Sequence, residues 1–157
     1  MLTLTRHAAD KRPADAELVL PFDLRNKSRL RTALANGEEV GLFLERGTVL
    51  RNGDRLEAED GRVILVVSAP ETVSTVHADD PWQLARVSYH LGNRHVPLQI
   101  GAGWVRYQHD HVLDDMVRGL GSGVTIEEAP FEPEGGAYSA HAHGGGHAII
   151  RGVAQGQ

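Results

Sequence analysis

The chain has 157 residues, 41% of them hydrophobic, which is enough for one ordinary domain or two small ones. It has no cysteine, so disulfides, thiolate catalysis and zinc fingers are excluded; a net charge of −5, scattered basic residues and 5% aromatics argue against nucleic acid as a partner. No apolar run approaches the roughly 20 residues that cross a bilayer, and the start, MLTLTRHAADKRP, has no signal-peptide core, so no membrane partner and a cytoplasmic home are expected.

In chain order, the first 70 residues read as a β-rich domain. LTLT (2–5), ELVLPF (17–22), EVGLFLE (39–45) and RVILVVSA (62–69) have the β-branched and apolar content of strands. Asn52-Gly53 and Asp60-Gly61 are pairs that close hairpins. NKSRLRTALANG (26–37) reads as a helix ending at Gly37. This half carries no titratable cluster, so a scaffold or docking role is expected of it. Ala69-Pro70 marks a seam. Beyond it, ETVSTVHA (71–78) alternates as a strand does. Asp80-Pro81-Trp82-Gln83 reads as a helix start, with a capping carboxylate, proline at the first position and glutamine three residues past the cap. Leu84, Val87, Ser88 and Leu91 share one face of that helix, and Gly92 is the expected left-handed stop. VPLQIG (96–101) and WVRYQ (104–108) follow as strands. DHVLDDMVRGLG (110–121) is a second helix, with Val112, Leu113, Met116, Val117 and Leu120 on its apolar stripe. VTIEEAPF (124–131) closes the set. The expected fold class is α+β: a β-rich domain over 1–70, then a ferredoxin-like β-α-β-β-α-β domain over 71–133. The Gly-rich segment 134–157 has no periodicity and is expected to be a flexible tail.

Histidine is the informative residue type. There are nine, and seven lie from His90 onward. His90 sits on the flank of the first helix and His95 past its stop, five positions away across a Gly-Asn-Arg break. Two histidines on one continuous helix share a metal at a spacing of four, so this is no local chelating pair. His95 reads either as a polar loop residue or as an imidazole projected from the helix end, with Val96-Pro97 stiffening the turn behind it. In YQHDHVLDD (107–115), His109 and His111 share a side if the strand continues through them, whereas Asp110 suits a helix cap. Asp114 and Asp115 are expected on the solvated surface. The run does not complete the H-x-H-x-D-H signature of metallo-β-lactamases. His141, His143 and His147 lie in the tail, where a tether allows capture of a metal but does not fix its geometry. An all-imidazole set suits Ni²⁺, Cu²⁺ or Zn²⁺. One exposed histidine holds a metal weakly, but beside a two-fold axis it supplies two ligands, because the dimer repeats every side chain. Such a site, with open positions, binds and then releases, which is the logic of a carrier.

GNRHVPLQI, YQHDHVLDDM and VGLFLERGTVLRNGDRLEAEDGRVILVV, in that family's order from about Val40 to Phe131, resemble UreE, the nickel metallochaperone of urease maturation. The resemblance implies a peptide-binding-like first domain, a ferredoxin-like metal-binding second domain and a homodimer, with a metal-bridged dimer of dimers left open. It implies that His95 is the histidine paired across the dimer interface, that His109 and His111 match accessory metal-binding histidines, and that His141, His143 and His147 help to hold nickel. Ni²⁺ is then cargo, with Zn²⁺ or Cu²⁺ as substitutes in vitro. The implied partners are the urease accessory GTPase and the urease apoprotein complex, and no catalytic residue is implied. The alternatives are a small metal-dependent hydrolase built on His109 and His111, which needs a third ligand and an ordered water, and a general nickel or zinc buffer.

Overall fold

The computed structural model describes residues 1–135. It is mixed α and β, with a sheet-rich first part and a smaller αβ second part. The first part comprises β1 (Leu2–His7), β2 (Ala16–Leu20), a four-residue α1 (Phe22–Arg25), β3 (Arg29–Ala33), β4 (Glu39–Phe43), β5 (Arg55–Ala58) and β6 (Val63–Ser68). Its strands form one six-stranded sheet in the order β2-β6-β5-β1-β4-β3. The β1–β4 and β2–β6 pairs are parallel and the others antiparallel. The apolar core beneath it includes Leu4, Leu18, Val40, Leu42, Leu50, Leu56, Ile64 and Val66, all with no measurable exposure.

Residues 26–37 overturn the expected helix. Their central part is β3, paired with β4 in register from Arg29↔Phe43 to Ala33↔Glu39. Leu30 and Thr32 are half-buried while Arg29, Arg31 and Ala33 are exposed, which is the period of a strand. Arginine, leucine and alanine favour helix by local propensity, but five residues with a ready strand partner follow the sheet. Gly37, at φ 91°, is therefore the left-handed residue of the β3–β4 hairpin rather than a helix stop. Asp60-Gly61 closes the β5–β6 hairpin as its composition suggested, with the Gly61 N–H donating to the Ala58 carbonyl at 2.9 Å. Asn52-Gly53 instead turns the chain into β5, a strand absent from the sequence reading.

The second part runs β7 (Pro70–His77), α2 (Pro81–Asn93), β8 (Gln99–Gly101), β9 (Trp104–Gln108), α3 (His111–Gly119) and β10 (Thr125–Pro130). All its strand pairs are antiparallel, in the order β10-β7-β9-β8. β8 is shorter than the sequence reading because its first expected residues, Val96 and Pro97, belong to the turn, and proline has no N–H to give a ladder. Gly101 is required where it lies: a Cβ there would come within 2.1 Å of the Trp104 ring opposite it on β9. The helices cover one face of the sheet through Val76, Val87, Leu91, Val105, Tyr107, Leu113 and Val117.

Only Ala69 separates β6 from β7, so the chain changes sheets at that point. The two sheets are joined by Phe22, Val73 and Phe131, with the rings of Phe22 and Phe131 edge-on at 5.7 Å. Beside them Arg25 is fully buried. Its Nε donates to the Leu20 carbonyl at 3.1 Å, and its Nη1 to the Leu50 carbonyl at 3.1 Å and the Glu132 carboxylate at 3.0 Å; Nη2 donates to the Phe131 carbonyl. The same Glu132 accepts from the Asn52 N–H at 2.8 Å and from the Ser68 hydroxyl. A guanidinium with five fixed donors can satisfy backbone carbonyls from both units at once, and a buried charge is tolerated only when bonded this fully.

Candidate functional site

α2 begins as its sequence predicts. The Asp80 side chain accepts from the Trp82 N–H at 3.0 Å, and Pro81 occupies the first helical position. Gln83 does not close the capping box; its Nε2 donates instead to the Leu120 carbonyl and the Ser122 hydroxyl at the far end of α3. The helix also continues through Gly92, so the expected stop there is corrected. The left-handed residue is His95 itself, at φ 59°, the one non-glycine with positive φ among the described residues. Its N–H donates to the Gly92 carbonyl at 2.9 Å, and the Arg94 N–H to the Leu91 carbonyl at 3.1 Å, so the helix end is satisfied locally. The reversal, followed by Val96-Pro97, leaves the His95 imidazole exposed beyond the helix end. His90 is half-buried on α2, edge-on to its neighbour Tyr89 at 5.2 Å.

β9 ends at Gln108, and Asp110 caps α3, accepting from the N–H groups of Val112 and Leu113 at 2.8 and 3.2 Å. The strand therefore does not continue through His111, which is the first helical residue and is exposed. His109, on the strand's exit, is anchored by its N–H to the Thr72 carbonyl at 3.1 Å. Its Nδ1 lies 3.1 Å from Oδ2 of Asp114 and 3.1 Å from the Ser74 hydroxyl. Asp114 is corrected from solvated surface to buried: it is 1% exposed, and its Oδ1 accepts from the Tyr107 hydroxyl at 2.6 Å. Burial, and then the Asp114 carboxylate, push the Tyr107 phenol well above its usual range. Sequence reasoning missed this carboxylate because Val112 and Asp114 flank Leu113, each roughly 100° away around the helix. Periodicity alone favours the apolar edge; the structure buries Asp114 and leaves Val112 50% exposed. The available signal was Tyr107, whose hydroxyl needs a partner if the ring is buried. Asp115 is exposed, as expected.

Val96, Pro97, Tyr107, Gln108, His109, Asp110 and Leu113 line a cavity of about 270 Å³. The turn that carries His95 and the strand exit that carries His109 thus border one space. Among the described residues no three histidine, aspartate or glutamate side chains converge as a metal-holding group, so a closed three-ligand centre is not assembled there. His141, His143 and His147 lie outside the described residues. What the described part offers is separate imidazoles near one end of the second unit: His95 exposed on its turn, His111 exposed at the helix start, and His109 held by a carboxylate. Such an arrangement takes a metal through few ligands and leaves coordination positions open.

Comparison with known proteins bears on both units. The family model for the UreE urease accessory protein N-terminal domain matches residues 3–69, and that for the UreE urease accessory protein C-terminal domain matches residues 71–154. The chain is similar to the urease accessory protein UreE of Alkalilimnicola ehrlichii, 62% identical over 138 residues that cover 88% of this chain and 85% of the relative. It is similar also to those of Vibrio parahaemolyticus, 59% identical over 82% of this chain and 80% of the relative, and Proteus mirabilis, 62% identical over 77% and 75%.

Proposed function

The chain belongs to the UreE family of urease accessory proteins, and from that premise we propose that it is a homodimeric nickel carrier for urease maturation that holds Ni²⁺ between the His95 side chains of two protomers. The observation that carries this reading is the placement of His95. A left-handed turn off α2 exposes its imidazole, and among the described residues it joins no group of three or more candidate ligands. Such a residue binds a metal well only when something repeats it, and a two-fold axis does so at no cost in sequence. Two imidazoles with open positions bind firmly enough to carry and loosely enough to yield to a recipient offering more ligands.

His109 and His111 act as accessory ligands in this reading, and His141, His143 and His147 supply further imidazoles from the tail. The Glu134 N–H donates to the Leu98 carbonyl at 2.8 Å, so the chain passes beside the His95 turn just before the tail begins. Seven residues from Glu134 to His141 reach at most about 25 Å, a span that supports cooperation between tail and turn. The second unit, over 71–133, is ferredoxin-like in element order and serves as the metal-binding domain; the first, over 1–70, serves as a peptide-docking domain. The partners are the urease accessory GTPase and the urease apoprotein complex in the cytoplasm. Ni²⁺ is the cargo by role rather than by affinity, since Cu²⁺ binds nitrogen sites more tightly.

Delivery is tested by mixing the nickel-loaded protein with apo-urease complex and the GTPase in the presence of a competing chelator. The expected result is urease activation by the wild type and activation no better than the chelated metal alone with His95→Ala. Equal activation by His95→Ala would overturn the reading, and failure of the loaded wild type would reduce the protein to a buffer.

A further inference from the structure

The hydrogen bonds around His109 have a direction that follows from what each group can donate. The Asp114 carboxylate only accepts. Tyr107 donates its proton to Oδ1 of Asp114. What faces Nδ1 of His109 is Oδ2 of Asp114 and the Ser74 hydroxyl, each at 3.1 Å. The carboxylate can only accept and the rotatable hydroxyl can accept beside it, so Nδ1 carries the proton; a bare Nδ1 would aim its lone pair at a carboxylate. The remaining lone pair of the neutral ring is on Nε2, which makes no hydrogen bond among the described residues.

We propose that Asp114 is a positioning residue for metal capture: it fixes His109 as the Nδ1–H tautomer and so presents Nε2 as the ligand nitrogen. A carboxylate behind a metal-binding imidazole fixes the ring's orientation and makes it a better donor. Here the carboxylate is itself held by Tyr107 and by burial on α3, so its orientation is inherited from the core. The proposal rests on the reading of His109 as an accessory ligand, but its first half concerns the metal-free protein alone.

The test is a nitrogen-15 spectrum of the histidine rings in the metal-free protein at a pH of about 8.5, where imidazoles are neutral. His109 is expected to show a protonated Nδ1 and a bare Nε2. In Asp114→Asn, which keeps the shape, the amide donates to Nδ1 and the ring switches to the Nε2–H form. Nickel affinity at the His109 site then falls by about 10- to 100-fold, while the site lost in His95→Ala is unchanged. A wild-type His109 in the Nε2–H form overturns the proposal, and this measurement needs no variant to fold. So does an Asp114→Asn protein that keeps the wild-type tautomer, or one that switches tautomer and binds nickel as before. The carrier reading stands or falls separately, on His95→Ala.

Discussion

At φ 59°, His95 occupies a backbone region that costs most L residues roughly 1–2 kcal/mol and glycine little. Glycine is the ordinary solution at a helix end, and Gly92 stands three residues earlier without being used for it. Stability alone would favour glycine at position 95. His95→Gly is therefore expected to raise the unfolding free energy by about 0.5–1 kcal/mol, after allowance for the greater freedom of the unfolded glycine chain, while abolishing the tightest metal site. Thermal unfolding and nickel binding on the same variant check both halves; a loss of stability would mean that the imidazole is retained for packing. The sequence shows that a histidine follows the helix, because Gly-Asn-Arg reads as a break. It hides which residue turns left-handed, since composition points to Gly92 and the hydrogen bonds from Arg94 and His95 decide otherwise. Asp114 was hidden for a related reason: its burial depends on Tyr107 across the packing, not on its neighbours in sequence.

At the scale of elements, α3 joins the capping of a helix to the orientation of a ligand. Asp110 accepts two N–H bonds at its start, and the first turn that these bonds secure carries Asp114. Asp110→Ala is expected to destabilise the protein by about 1 kcal/mol. Because the loss falls on that turn, amide exchange is expected to quicken at residues 111–115 more than in α2, as hydrogen-exchange protection would show; uniform protection in the variant would separate the cap from the site. Both helices of the second unit were legible from cap, stripe and length. The stretch 26–37 was not. Its five strand residues are too few for a period to stand out against helix-favouring composition, and only β4 lying alongside reveals them. β5, with four residues between two turn pairs, escaped for the same reason.

In the whole molecule, the described units do not hang together by the one-residue link at Ala69. Arg25 binds carbonyls from both, and Glu132 returns the contact to Arg25, Asn52 and Ser68. This fastening also fixes where the chain departs toward His141, His143 and His147, beside the turn that carries His95. No spacing rule predicts such a bond between residues 25 and 132, because it exists only once two sheets meet. The family was legible in GNRH and HDHVLDDM, which the structure places on the helix-end turn and on the strand-to-helix junction. That the first of these places, through His95 and its symmetry copy, holds one metal on a two-fold axis is the central claim. It is tested most directly by calorimetric titration of the wild type and of His95→Ala with Ni²⁺, with the mass in solution followed by light scattering. The account predicts a dimer whose tightest site takes one nickel per two chains and disappears in His95→Ala. A His95→Ala protein that keeps that site, while His109→Ala or His111→Ala loses it, would contradict the account.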